Sequence, residues 1–86
     1  MNRKERILNL LEKKMPNFTI KVFDNSHLHV GHNNFDGSGE THILIRLTPI
    51  EKNYINRLLI HRKINDILIN EFNTGLHSIE IRIGNF

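Results

Sequence analysis

The sequence predicts an α+β domain with the element order αββααβ, and three observations lead to this prediction. An amphipathic helical pattern precedes Pro16, three short segments alternate apolar and polar residues, and a long helical region separates the second of these segments from the third. The chain has 86 residues, of which 38% are hydrophobic and 24% are charged. This size and composition are typical of one folded domain, which we expect to cover residues 1–86.

The first predicted element is a helix from Asn2 to Lys14. Apolar residues that include Ile7 and Leu11 recur at spacings of three and four, and most of the lysines and arginines lie between them. One face of the helix is therefore expected to pack inward. Pro16 ends the helix, because the residue before a proline is disfavoured in the helical conformation.

Two strands and a long connection follow this helix. The segments FTIKVFD (18–24) and THILIRLT (41–48) both show the period-two pattern of half-buried strands. Between them, segment 25–40 is rich in asparagine, histidine and glycine. It is much longer than a hairpin connection requires, and loops of this length in compact domains are usually functional or mobile.

The second helical region extends from Pro49 to about Asn73. We expect a short turn or helix over 49–54, followed by a main helix from Tyr54 or Ile55, with Gly75 as the stop signal after it. At 100° per residue Ile55 points away from one broad apolar face. That face is predicted to contain Leu58, Ile60, Ile64, Ile67, Leu68, Ile69 and Phe72.

The segment HSIEIRI (77–83) is predicted to form the last strand, with its isoleucines on one side. His77 shares the parity of these isoleucines, so we expect its ring on the core side of the sheet at the open end of the strand. His61 is predicted to be a buried core histidine, because its angular position falls among the apolar residues of the main helix.

The composition excludes several classes of function. The chain has no cysteine, so it has no disulfide and no thiolate that could act as a nucleophile or a soft metal ligand. No apolar run is long enough for a membrane span, and the N-terminus is too charged for a secretory signal, so we expect a cytoplasmic protein. Asp24, Asp36 and Glu40 lie near histidines without a partner nucleophile, so we predict no catalytic residues and no enzymatic activity.

Four of the six histidines lie close together in the sequence, in and beside the long connection. His27, His29 and His32 form an H-x-H-x-x-H pattern, which is not a fixed ligand spacing for any one metal site, and histidines in polar loops are commonly solvated. His42 begins the second strand, where we predict a hydrogen bond that holds the end of the loop.

Four segments in order resemble the BolA family over nearly the whole chain. They are DNSHLHVGH (24–32), GETHILIRL (39–47), IHRKINDILINEF (60–72) and GLHSIEIRI (75–83). The resemblance implies a fold similar to the class II KH fold. In this fold a three-stranded mixed sheet has its last two strands parallel and its helices on one face.

The resemblance also implies a partnership with a monothiol glutaredoxin, in iron–sulfur cluster trafficking, assembly or iron sensing. A bridging 2Fe-2S cluster would be held on one side by the glutaredoxin cysteine and glutathione, and on the other by His77 and His29. His32 and His61 are alternative metal ligands. The isolated protein is then expected to be a monomer without a cluster. Ile60 departs from the family pattern, since many members have arginine there.

A DNA-binding regulator of stress response or cell morphology is the alternative function. The candidate DNA contacts are Lys52, Arg57, Arg62 and Lys63, which are equally explained as the solvated face of a helix. RNA binding of the KH type needs a GxxG loop, and the corresponding stretch TPIEKNYINR has no glycine. The sequence therefore disfavours that mode of RNA binding.

Overall fold

A computed structural model of the chain describes residues 1–26, 41–51 and 54–84. The elements follow the predicted αββααβ order: α1 (Arg3–Lys14), β1 (Phe18–Asp24), β2 (His42–Pro49), α2 (Arg57–Ile67), α3 (Ile69–Asn73) and β3 (Ser78–Ile83). The two consecutive helices are not the predicted pair, because Pro49 ends β2 instead of starting a short turn or helix over 49–54, of which residues 52 and 53 lie outside the described residues. None of the helices in this part of the chain has the length and apolar character that crossing a bilayer requires.

The three strands form one mixed sheet with β2 in the middle. β1 pairs with β2 in antiparallel orientation, and β3 pairs with β2 in parallel orientation. Ile45 and Leu47 of β2 are fully buried and pack with Ile7 of α1 and Ile64 of α2 in one core cluster. The helices therefore cover one face of the sheet, and the α+β architecture implied by the family resemblance is confirmed.

The strand directions bring three chain segments to one edge of the sheet. Asp24 at the end of β1 pairs with Ile43 near the start of β2, and His42 pairs with Ser78 at the start of β3. We call this end of the sheet, where β1 ends and β2 and β3 begin, the histidine edge. It is defined by Asp24, His42 and Ser78. Residues 26 and 41, which flank segment 27–40, both lie there.

α1 ends at Lys14, as the sequence predicts, and begins at Arg3, one residue after the predicted start at Asn2. The side-chain oxygen of Asn2 accepts a hydrogen bond from the backbone N–H of Glu5 at 2.9 Å and caps the first turn. Met15, which precedes Pro16, has φ −131° and ψ 65°, outside the helical region, while its N–H still donates to the carbonyl of Leu11. The helix thus ends for the predicted steric reason.

The predicted course of the second helical region is wrong in two respects. α2 begins at Arg57 and not at Tyr54 or Ile55, because the side chain of Asn56 accepts from the N–H of Leu59 at 3.1 Å and sets the N-terminus there. A break then occurs at Leu68, whose φ of −97° and ψ of 13° separate α2 from α3. A helical wheel drawn without this break therefore assigns the residues after Leu68 to the wrong side of the helix.

The predicted broad apolar face is also too wide. Leu58 is 59% exposed and Ile69 is 55% exposed, whereas Ile55 packs against the core. The inward face of α2 is centred on Ile64, from which Leu58 is separated by about 120° at 100° per residue. Burial on this helix is therefore confined to a narrow stripe.

The prediction that His61 is a buried core histidine is wrong. His61 is exposed on α2, about 60° from the centre of the narrow inward stripe. Its carbonyl accepts a hydrogen bond from the side-chain amide of Asn65 at 2.7 Å. The ring of His61 therefore contributes to the surface of α2 and not to the core.

A buried carboxylate connects the first helix to the third. Glu71 is only 6% exposed, and its Oε1 accepts from Nε of Arg3 and from Nη2 of Arg6, each at 2.9 Å. Its Oε2 accepts from Nε of Arg6, also at 2.9 Å. Charge-assisted hydrogen bonds of this kind are stronger than neutral ones and offset the cost of burying the carboxylate.

The same cluster shapes the turn that leads into β3. Nη2 of Arg3 donates to the carbonyl of Thr74 at 2.7 Å, and the N–H of Leu76 donates to the carbonyl of Glu71 at 2.9 Å. Between them Gly75 has a φ of +126°, which confirms the predicted stop. A Cβ at Gly75 would also lie 3.3 Å from the guanidinium nitrogens of Arg3.

Replacing Glu71 with Gln should reduce stability in a pH-dependent way. Mainly the hydrogen bond from Arg6, and also that from Arg3, holds the pKa of Glu71 below its ordinary value of 4.5. The contribution is fully present above the unfolded pKa and is lost as the pH falls through the lower folded pKa. Urea unfolding should show Glu71→Gln about 2 kcal/mol less stable than the parent at neutral pH. The difference should shrink below pH 4.5.

Glu80→Gln is the matched control for this experiment. Its ion pair with Arg82, at 2.6 Å, joins side chains that are 57% and 55% exposed, and exposed pairs contribute little. The interpretation is contradicted if Glu80→Gln is as costly as Glu71→Gln. It is also contradicted if the cost of Glu71→Gln does not change between neutral and strongly acidic pH.

Candidate functional site

His77 lies at the histidine edge, directly before β3. Its backbone N–H donates to the carbonyl of Thr41 at 2.8 Å, and the N–H of Ser78 donates to the same oxygen at 3.1 Å. The preceding residue, Leu76, is buried in the core. The backbone of His77 is thus held on both sides, while the side chain of His77 is exposed. An exposed imidazole on a fixed backbone is accessible to a partner molecule.

A second histidine lies beside it. The ring centroids of His42 and His77 are 5.1 Å apart, and the two ring planes are inclined at 39°. His42 is only 7% exposed, and its Nδ1 lies 3.1 Å from the hydroxyl of Thr41, within hydrogen-bonding distance. The buried ring of His42 therefore packs beside the exposed ring of His77. The parallel pairing of β2 with β3 brings these two residues together.

The hydroxyl of Ser26 joins the two ends of segment 27–40. Ser26 is 1% exposed, and its Oγ donates to Oδ1 of Asp24 at 2.7 Å. The same Oγ accepts from the backbone N–H of Thr41 at 2.9 Å and from that of His42 at 3.1 Å. The N–H of Asn25 donates to the carbonyl of His42 at 2.8 Å. The chain thus leaves and returns at one point, next to His77.

These contacts confirm that His42 takes part in holding the end of the loop. The sequence reasoning missed Ser26 and Thr41, which carry most of the network. A signal for Ser26 was present, because an aspartate two residues before a buried serine is typical of a turn in which the side chain bonds the backbone. The N–H of Ser26 does donate to Oδ1 of Asp24 at 3.0 Å.

The other predicted ligands have different positions in the structure. His29 and its alternative His32 lie outside the described residues, as does His27. His61 is on the surface of α2 and not on the strands that form the histidine edge. Within ranges 1–26, 41–51 and 54–84, no three histidine, aspartate or glutamate side chains come together as a possible metal site.

The three carboxylates that lie near histidines in the sequence are placed differently. Asp24 holds Ser26, and both Asp36 and Glu40 are outside the described residues.

An open groove of about 510 Å³ occurs at the opposite end of the sheet, where β1 begins and β2 ends. It is lined by Pro16, Asn17, Phe18, Pro49, Ile50, Glu51, Tyr54 and Ile55.

The candidate DNA contacts fall on α2 where the structure describes them. Nη1 of Arg57 donates to the carbonyl of Ile83 at 3.1 Å, so this side chain links α2 to the end of β3. Arg62 and Lys63 are exposed, and Lys52 lies outside the described residues. One of the three described cations thus has a structural contact within the fold.

Comparisons with known proteins agree with this architecture. The family described as BolA-like protein matches residues 10–84. A protein of the cobS 5′ region from Sinorhizobium sp, described as uncharacterized, is 38% identical over 63 residues, which are 72% of this chain and 68% of that protein. SufE-like protein 1, chloroplastic/mitochondrial, of Arabidopsis thaliana is 35% identical over 84 residues, which cover 93% of this chain but only 23% of that protein.

Two solved structures from Arabidopsis thaliana are similar over almost the whole chain. The BolA domain of SufE1 has a TM-score of 0.78 and 32% identity, covering 98% of this chain and 92% of that one. BolA1 has a TM-score of 0.76 and 27% identity with the same coverage. Because the family match and the structural similarity extend over nearly all of the described elements, this chain belongs to the BolA family.

Proposed function

We propose that this chain is an adaptor that binds a monothiol glutaredoxin and co-ligates a bridging 2Fe-2S cluster through His77 and His29. The observation that carries the proposal is the exposed imidazole of His77 on a backbone fixed by Thr41. The name of the SufE-like relative points to a role connected with iron–sulfur clusters. The adaptor would serve cluster trafficking, assembly or iron sensing.

The donor atoms of the chain fit one half of such a site. The chain contains no cysteine, so it supplies imidazole nitrogen but no thiolate. The glutaredoxin cysteine and glutathione would supply the sulfur ligands. Histidine ligation of one iron raises the reduction potential of a 2Fe-2S cluster relative to ligation by cysteine alone.

The structure supports unequal roles for the two ligands. His77 is on a backbone that is already ordered by Thr41 and Leu76, so little conformational entropy is lost when its ring binds. His29 would approach from segment 27–40, whose two ends are joined at Ser26. His32, three residues later, is the alternative from the same segment.

The DNA-binding alternative receives less support from the described residues. Arg57 bonds the carbonyl of Ile83, and Arg62 and Lys63 are ordinary exposed residues of α2. We therefore retain the adaptor as the proposed function.

Replacing His77 with Ala should reduce cluster retention more than any other single histidine change. The variant is mixed anaerobically with a monothiol glutaredoxin, glutathione, iron and sulfide, and the visible absorption and circular dichroism spectra are recorded. Because the ring is exposed, the melting temperature should fall only slightly.

His61→Ala is the matched control, because it also removes one exposed imidazole. We expect it to retain the cluster and to change the free energy of unfolding by less than about 0.5 kcal/mol, as is usual for surface substitutions. The assignment of the fixed ligand is wrong if His61→Ala loses the cluster while His77→Ala keeps it.

Replacing His29 with Ala should make the shared cluster more labile without abolishing the contact with the glutaredoxin, since His77 remains. The decay of the visible spectrum in air measures cluster lability, and calorimetry measures protein–protein affinity. His32→Ala is the control. If His32→Ala shortens the lifetime of the cluster and His29→Ala does not, the loop ligand is His32.

Replacing Ser26 with Ala should affect both stability and the cluster. The N–H groups of Thr41 and His42 lose their shared acceptor, which costs about 1–3 kcal/mol in urea unfolding. The residues that flank segment 27–40 are then joined less firmly, because the bond from the N–H of Asn25 to the carbonyl of His42 remains but the bonds to Ser26 are lost, so the cluster should also decay faster. Ser78→Ala, which alters an exposed serine of the same edge, should do neither. Equal effects of the two substitutions would contradict the role of Ser26.

A further inference from the structure

The two edge strands of the sheet, β1 and β3, are covered to different extents by the described residues. On the core side of β1, Ile20 and Val22 are only 7% and 6% exposed, because α1 packs against that strand. On the core side of β3, Ile79 and Ile81 are half-buried, although both pack against the core cluster. Within ranges 1–26, 41–51 and 54–84, apolar surface therefore remains along the outer side of β3.

The outer side of β3 also presents backbone hydrogen-bonding groups. The N–H of Ser78 donates to the carbonyl that directly precedes β2, and the N–H of Gly84 donates to the carbonyl of Leu47 in β2. Because residues alternate in direction along a strand, the odd-numbered residues of β3 direct their N–H and C=O groups away from β2. Ile83 agrees with this alternation, since its carbonyl accepts from Nη1 of Arg57 at 3.1 Å. A further strand can bond to groups of this kind.

The charges of β3 select one way of pairing this strand with a second copy of itself. In an antiparallel pair with Ile81 opposite Ile81, Glu80 of each copy lies opposite Arg82 of the other. The outward backbone groups also meet if the strands shift by two residues, but Glu80 then lies opposite Glu80, or Arg82 opposite Arg82. Like charges directly opposite each other are destabilising, and opposite charges are favourable. The segment SIEIRI is therefore complementary to itself in one of these three registers.

In that register the backbone groups of both strands also find partners. The two copies of Ile81 would exchange two hydrogen bonds, and Ile79 of each copy would exchange two with Ile83 of the other. The carbonyl of Ile83 can accept this bond in addition to the one from Arg57, because a carbonyl oxygen has two lone pairs. Each copy would also cover apolar surface that the other leaves along β3.

We propose that β3 pairs in antiparallel orientation with β3 of a second copy of this chain, so that two three-stranded sheets join into one sheet of six strands. The contact is symmetric, because the same residues of both copies meet about a two-fold axis. It involves one strand per copy and is smaller than a standard interface, so the dimer is reversible, with a Kd of about 100 µM. At lower concentrations the isolated chain is the expected monomer. The pairing uses none of the proposed cluster ligands, so it does not rest on the glutaredoxin partnership.

Sedimentation equilibrium of the purified chain, from about 10 µM to about 1 mM, measures this self-association. The average mass should rise with concentration from that of one chain toward that of two. Glu80→Lys and Arg82→Glu should each raise the Kd by at least about ten-fold, because both pairs of opposite charges in the dimer become pairs of like charges. The intrachain ion pair of Glu80 and Arg82 is exposed, so its loss should leave the fold intact.

A mixture of these two variants separates pairing from any effect on folding. When a Glu80→Lys chain meets an Arg82→Glu chain in the proposed register, each cation again lies opposite a carboxylate. A mixed dimer should therefore form with about the affinity of the parent. The parent's net charge of +3 becomes +5 in one variant and +1 in the other, since each substitution changes the charge by two. Both variants remain positive, so attraction between net charges cannot cause their association.

Lys21→Glu is the matched control on the other edge strand. It changes the net charge by the same amount as Arg82→Glu, in the middle of β1, and should alter the Kd by less than about two-fold. Nuclear magnetic resonance adds a direct reading of the contact. Amide exchange at Ile79 and Ile81 should become slower as the protein concentration rises, because their N–H groups become bonded to the second copy.

Any of four results would overturn the proposal. The first is a parent chain that stays monomeric at about 1 mM. The second is a loss of affinity in Lys21→Glu equal to that in Arg82→Glu. The third is a mixture of Glu80→Lys and Arg82→Glu that stays monomeric where the parent dimerises. The fourth is a dimer in which amide exchange at Ile81 is no slower than in the monomer.

Discussion

The parallel pairing of β3 with β2 is the constraint on which the rest of the structure depends. A parallel connection must cross from one end of the sheet to the other, so the chain between β2 and β3 has to pass over one face. α2 and α3 make this crossing, and Ile64 and Leu68 are buried against the sheet. Because the pairing is parallel, β2 and β3 also start at the same edge, and this places His42 beside His77.

Two buried polar clusters hold the backbone on either side of His77. Glu71, bound by Arg3 and Arg6, anchors the turn from which the chain arrives. Ser26 binds the N–H of Thr41, whose carbonyl accepts from the N–H of His77. Each cluster satisfies its buried groups with short hydrogen bonds, and buried polar groups that are satisfied in this way favour one ordered arrangement. The exposed ring of His77 therefore projects from a backbone that is fixed by hydrogen bonds.

The histidine edge collects residues that are far apart in the sequence. The rings of His42 and His77 lie together there because β2 and β3 start at the same end of the sheet, so this edge offers imidazole nitrogen. Alternate residues of the same strands, such as Ile45, face the core.

The sequence by itself determined the strands, the first helix and the element order, because a period of two, a period near 3.6 and a proline are local signals. Motifs carried by the family resemblance added the parallel pairing and His77. The helix break at Leu68 and the exposure of Leu58 and His61 were decided by tertiary packing, since a helical wheel does not show how wide a face the sheet can cover. Ser26 acquires its role only when residues 15 and 16 positions away return to it. These are long-range contacts, which no local pattern encodes.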